Sequence, residues 1–340
     1  MSRFQDWPWG KEQSVSRVRW IVMVLAPGPI VIGSIGLSRY VRPEQPAQLA
    51  TNEVIPRDSS RGEIELVNYQ EAVPPGHKLI AACEARGSVV RKQLGDQCTA
   101  IVAAPFVIAG DMSEDELRKW HEQTILPAAT AMGHCYFDEQ PSEPITVLLF
   151  RSQASYEHYA SKLYRDRGIS IYGYYKPRER TLVMNIATGG GTLVHELTHA
   201  LIAFDCPQTP DWFNEGLASL HEQCRFREDE RGPWIEGLVN WRLTRLQKEL
   251  AAGRLPSLAD FLRDDNFRGE REAVNYAQAR YFCLFLQRRG LLERYYFALR
   301  KHVDNDPHGE QAIREVFPGK DWAAIDAEFH AFIRTLKLED

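Results

Sequence analysis

Between residues 99 and 186 the chain alternates short apolar runs with amphipathic stretches; from Thr192 onward its apolar positions recur almost wholly at helical spacing. Residues 78–82 and 99–108 are short apolar runs of the kind that form strands, the second closing at Gly110. Asp111-Met-Ser-Glu-Asp-Glu then opens a helix, because Ser113 can accept from the free first-turn N–H groups and the acids suit the positive end of the helix. The helical pattern runs to about Met132. Residues 145–150, apolar but for Thr146, read as a buried strand, and 152–165 as a second amphipathic helix. Residues 171–175 and 180–186 predict two more strands, joined by a polar Lys-Pro-Arg-Glu segment. The tri-glycine run 189–191 marks the switch to helices, and no Gly-Lys-Ser/Thr follows it to make a phosphate loop. Residues 291–301 and 321–335 predict packing helices, with Phe329, Phe332 and Ile333 as an apolar face. The expected architecture is α+β: a small mixed sheet, then a mainly helical C-terminal part.

The N-terminal quarter differs. Residues 20–37 carry no charged side chain over 18 positions, with Arg17 and Arg19 before them and Arg39 and Arg42 after. That length is at the lower limit for crossing a bilayer, and Pro27-Gly28-Pro29 interrupts a straight helix. A membrane anchor, a cleaved signal segment, with Ser34 and Gly36 as its small pair, and a buried or peripheral apolar segment all fit. Arg3, Lys11, Arg17 and Arg19 favour leaving residues 1–19 as a cytoplasmic stub and exporting the body. Expected localisation is therefore membrane-anchored on the periplasmic or extracellular face, or secreted if the segment is cleaved. Residues 38–62, rich in Pro, Gln, Arg and Ser, read as a linker, and 63–340 as one domain.

Composition narrows the function classes. With 41 Lys+Arg against 46 Asp+Glu, a net charge of -5 and no basic block, the chain does not read as a nucleic-acid binder. With 44% hydrophobic residues it is neither disordered nor fibrous. The six cysteines include no Cys-x-x-Cys pair, which argues against a zinc ribbon. If the body is exported, Cys83 with Cys98 and Cys206 with Cys224 are the pairs suggested by nearness in sequence; in a reducing compartment the same residues would be small buried thiols.

The sharpest chemical signal is His195-Glu196-Leu197-Thr198-His199. On a helix the two histidines lie one turn apart and can point at one ion, while Glu196 projects near the open coordination position and can take a proton from water. Leu193, Val194, Leu197, Leu201 and Ile202 supply the buried stripe that such a helix needs. The plainer alternative is a helix with two structural histidines. A catalytic zinc site needs a third protein ligand. Glu215, in Pro-Asp-Trp-Phe-Asn-Glu-Gly-Leu-Ala, lies 16 residues after His199, room for the first helix to end near Asp205, turn, and return as a second helix. Gly216 and Ala218 would let that helix approach closely. A set of two imidazoles and one carboxylate favours zinc.

His-Glu-Leu-Thr-His followed by Pro-x-Trp-Phe-x-Glu-Gly-Leu-Ala resembles the gluzincin metallopeptidases, and among them the peptidase MA-like group. The resemblance covers about residues 100–335 and is most specific at the two motifs. It implies a zincin-like catalytic domain, one zinc ion per chain held by His195, His199 and Glu215, and Glu196 as general base. It also points to Tyr276, in Tyr-Ala-Gln-Ala-Arg280, as the phenol that steadies the oxyanion, with Arg280 as a substitute or a carboxylate binder. Three departures stand out: there is no Gly-x-Met-Glu-Asn exopeptidase motif, the His199–Glu215 spacing is short, and Ser219 stands where larger relatives often place an acid that orients a ligand histidine. His221 and the other histidines show no ligand spacing.

The expected activity is zinc-dependent hydrolysis of a peptide or protein substrate, with residues 180–186 as the sheet edge that pairs with it. Two other readings fit the same residues: a non-peptidase zinc amide or ester hydrolase, and a degenerate membrane-tethered binding protein. The sequence sets neither the substrate nor the oligomeric state.

Overall fold

The computed structural model describes residues 76–338. The stub, apolar segment and linker read over residues 1–62 lie outside them, as do residues 63–75 of the expected domain. Among the described residues no helix is long and apolar enough to cross a membrane.

Helix α1 (His77–Leu94) leads into strands β1 (Thr99–Ala103) and β2 (Phe106–Gly110). Helix α2 (Glu114–Trp120), a π-helical turn (His121–Ile125) and α3 (Leu126–Cys135) follow. Ser113 caps α2: its hydroxyl accepts from Glu116 N–H, and the Glu116 carboxylate accepts from Ser113 N–H at 3.0 Å. Next come β3 (Ile145–Phe150), α4 (Gln153–Tyr164), β4 (Gly173–Lys176) and β5 (Thr181–Asn185). Helices α5 (Gly191–Asp205) and α6 (Asp211–Glu222) precede a hairpin, β6 (Cys224–Asp229) and β7 (Gly232–Gly237). The chain closes with α7 (Arg242–Ala251), α8 (Leu258–Leu262), α9 (Glu272–Arg288), α10 (Leu292–His302), α11 (Glu310–Val316) and α12 (Trp322–Thr335).

This is a mixed α/β structure. The five-stranded sheet has the order β1-β2-β3-β5-β4; β2, β3 and β5 are parallel, and β1 and β4 run antiparallel to their neighbours. Strand residues alternate between its two faces. Val107, Ala109, Leu148, Phe150 and Val183 meet α1 and α4 on one side. Ile108, Val147, Leu149, Leu182 and Met184 join the larger core of α3, α5, α6 and α9 on the other. With helices on both faces, the central strands carry no solvent-facing side, which is why β3 is apolar but for Thr146, whose buried hydroxyl accepts from Arg86 Nε at 2.9 Å.

Two sequence expectations need correction. Residues 78–82 are not a strand but the start of α1; the buried positions Cys83, Gly87, Val90 and Leu94 continue the run at helical spacing. Strand β5 is not the sheet edge: it lies between β3 and β4, and β4 is terminal. The region after Thr192 is mainly helical, as expected, with one interruption at the hairpin β6–β7, where Gly232 at φ +119° closes the turn.

The cysteine pairs are absent as well: all six thiols are free and buried. Cys206 and Cys224 flank α6, whose 12 residues span about 18 Å, which holds them apart. Cys83 faces the sheet from α1 in the smaller core.

Helix α6 sets the position of the site and is itself fixed by aromatic packing. Trp212 and Phe213 are buried against Phe282, Tyr295 and Tyr296, and Trp212 Nε1 donates to the His308 carbonyl at 2.9 Å. At Gly216 the helix touches α9 so closely that a Cβ would lie 2.8 Å from Cys283 Sγ and 2.9 Å from the Ala279 carbonyl oxygen. Backbone cannot move aside as a side chain can. Gly216→Ala is therefore expected to destabilise the fold by about 1–3 kcal/mol despite its better helix propensity. Urea denaturation checks this; a midpoint at or above the wild type would show that α6 and α9 have room to separate.

Candidate functional site

On α5 the residues at 193, 194, 197, 198, 200, 201 and 202 are buried, which leaves 195, 196 and 199 together on the less buried side. His195 and His199 lie with ring centroids 4.8 Å apart and planes at 82°, their Nε2 atoms 3.1 Å from each other. Glu215 arrives from α6. Its Oε2 lies 3.5 Å from His195 Nε2 and 3.6 Å from His199 Nε2. These three atoms form the one group of metal-ligating side chains among the described residues. A point equidistant from all three lies about 2.0 Å from each, the length of a bond from zinc to imidazole nitrogen or carboxylate oxygen. Glu215 Oε2 is buried with no hydrogen-bond partner, which a carboxylate oxygen tolerates poorly unless a cation faces it. The donor set thus fits a divalent ion.

Other side chains hold the three in place. His199 Nδ1 and Asn214 Oδ1 are 2.9 Å apart. An amide oxygen there makes Nδ1 the protonated nitrogen, so the Nε2 lone pair faces the centre. Arg268, from the segment between α8 and α9, donates to Glu215 Oε1 at 2.5 Å. The carboxylate therefore offers one oxygen to arginine and the other to the centre.

The charges are mutually adjusted. Burial opposes ionising Glu215, but His195, His199 and Arg268 outweigh it and hold the carboxyl down at about 2. Burial also opposes charging His195, and the Glu215 carboxylate outweighs it, so its pKa is raised. His199 is lowered, by burial and by the charge on His195.

Glu196 is half-buried, and its charge is felt by both imidazoles and by Tyr156. Tyr276 also reaches the cluster. Its phenol is pushed well up, first by burial and then by the Glu215 carboxylate, and its ring lies 5.1 Å from that of Phe267 and 5.9 Å from the Arg268 guanidinium. Arg280 does not join them. It is fully buried, donates to the Leu238 carbonyl at 2.5 Å, and supports the end of the β6–β7 hairpin. Ser219 is buried and orients no ligand; Asn214 does that work for His199. The sequence carried no signal for Arg268, whereas Asn214 directly precedes a candidate ligand on the same helix.

His221, near the end of α6, is fully buried. Its Nδ1 is 3.2 Å from Thr198 Oγ1, which donates to the Val194 carbonyl and so accepts from the ring. Burial, with Arg280 and His195 nearby, holds its pKa down at about 3. An unfolded chain would protonate it near pH 6.5. Between those values the unfolded state binds the extra proton, so this contribution to stability is complete above about pH 6.5 and declines as pH falls towards 3. The urea midpoint of a His221→Gln variant should accordingly fall less over that window than the wild-type midpoint. Parallel pH profiles would show that the imidazole takes no part.

The arrangement joins a three-donor centre, a free carboxylate one residue from the first histidine, and a phenol beside the Glu215 carboxylate. No protein-family model matches the chain, and no curated protein matches it.

Proposed function

We propose that the protein is a zinc-dependent peptidase with a gluzincin-like site in a zincin-like domain. One observation carries this reading: three donor atoms from α5 and α6 surround a point at zinc-bond distance, with a second carboxylate, Glu196, beside them and left out of the set. His195, His199 and Glu215 would hold one zinc ion, which when bound supplies Lewis-acid charge and acidifies water.

The chain's own groups divide the remaining work. Glu196 accepts the proton of the attacking water and returns it to the leaving amine. The Tyr276 phenol, kept protonated by its raised pKa, donates to the oxygen that gains charge. Asn214 holds the His199 ring, and Arg268 holds Glu215 through the oxygen the centre does not use. The substrate is an extended peptide or protein segment laid along β4, the terminal strand, which packs against α5.

Metal analysis of the purified full chain tests the reading. About one zinc per chain is expected, together with hydrolysis of a peptide library that a chelator abolishes and added zinc restores. Stoichiometric zinc with no amide hydrolysis would turn the assignment towards a binding role.

A further inference from the structure

We propose that the outer edge of β4 selects acidic peptide segments, with Arg165, Arg167 and Arg178 as its specificity-determining residues. The inference deepens the peptidase reading and rests on it, since it names the substrate class of that site.

Asn185 N–H donates to the Tyr172 carbonyl at 2.9 Å, which makes 172 and 185 a hydrogen-bonded pair. The register of β4 on β5 pairs 174 with 183 and 176 with 181. Antiparallel pairs alternate, so the N–H and C=O groups of Gly173 and Tyr175 point away from β5; Gly173 is buried, which leaves those of the half-buried Tyr175 open. They can accept one more strand.

An open cleft of about 920 Å³ runs beside this edge. Arg165 and Arg167, just after α4, and Arg178 and Glu179, in the turn before β5, line it. Lys176 is neutralised by Asp166 at 3.0 Å, and the Tyr174 hydroxyl donates to the same carboxylate at 2.6 Å. Arg180 is taken by Glu143 at 2.7 Å. Arg165, Arg167 and Arg178 are exposed and form no ion pair among the described residues. Only Glu179 offsets them, so the cleft is positive on a chain whose net charge is -5. Exposed arginines alone would be an ordinary solvated patch. Here they flank unpaired strand groups: main-chain bonds would supply affinity and the guanidiniums the choice of side chain. Alternate residues of an added strand share one face, so carboxylates at every second position would meet them together.

The test uses the full chain carrying Glu196→Gln, so that bound peptide is not consumed. Fluorescence anisotropy would compare short extended peptides that are Glu-rich, Ser-rich and Lys-rich. The Glu-rich peptide is expected to bind about tenfold or more tighter than the Ser-rich one at low salt, with the preference fading towards 1 M salt, where screening reaches about 3 Å. Adding Arg167→Glu and Arg178→Glu should abolish or invert the preference. Arg165→Gln/Arg167→Gln/Arg178→Gln, gentler at a position where Arg165 has φ 60°, should reduce it. Equal binding of acidic and neutral peptides, or a preference that survives the reversal, overturns the inference. Wild-type kinetics keep the two ideas separate. Cleavage of neutral and acidic substrates at equal rates removes the acidic preference but leaves the peptidase intact. Selective binding of acidic peptides that the wild type never cleaves does the opposite.

Discussion

A Glu196→Gln variant should keep its full complement of zinc and lose peptide hydrolysis by about 100- to 10,000-fold, the range that general-base catalysis supplies. The dissociation follows from the geometry. Glu196 shares the less buried side of α5 with the two histidines, but the donor trio is made of His195, His199 and Glu215. Gln has the shape of Glu and cannot accept the proton, so the fold and the metal should be untouched. Paired metal analysis and turnover on one peptide would check both halves. Hydrolysis undiminished by the substitution would remove Glu196 from the chemistry, and loss of zinc alongside activity would make it a ligand.

The second large effect concerns Glu215. Glu215→Ala removes the one acid of the trio and leaves Arg268 without its partner. Two imidazoles remain, and metal affinity should drop by more than about 100-fold, beyond the cost of losing an outer-sphere partner. The fold should survive, because Trp212, Phe213 and Leu217 anchor α6 and Arg268 is 63% exposed and can turn to water. Competition with a chromophoric chelator measures the affinity, and circular dichroism monitors the helices. Wild-type affinity in Glu215→Ala, set beside loss in His195→Ala, would mean that another acid completes the site and that the present ligand set is wrong.

Much of the site follows from local rules that a sequence displays. The spacing of His195 and His199 places them on one helical face, and Leu193, Leu197 and Leu201 show which face is buried. The turn to α6 is marked by Pro207 and Pro210. Ser113 and Ser152 announce their helices through the backbone N–H groups they cap. The rest depends on tertiary placement. Residues 78–82 look like a strand over five positions, and the helix emerges only when Cys83, Gly87, Val90 and Leu94 are seen to meet the sheet. Strand order also lies beyond pattern: β5 is enclosed because β4 folds back on it, and no composition distinguishes it from an edge. Arg268 reaches Glu215 across 53 positions, from a segment with no periodicity of its own. Arg280 illustrates the reverse: a functional-looking cation one turn beyond Tyr276 serves backbone carbonyls instead.

The burial of every cysteine gives the molecule built-in reporters of motion. Burial pushes the Cys83 thiol up to about 11 and the Cys224 thiol up to about 12, so neither is reactive while its surroundings stay closed. A labelling reagent can reach them only when the covering element opens. Cys83 would time excursions of α1 from the sheet, Cys224 those of the hairpin beside α6, and Cys283 the parting of α9 from α6 at Gly216. These three native residues thus form a clock for breathing on both faces of the sheet, with no probe introduced.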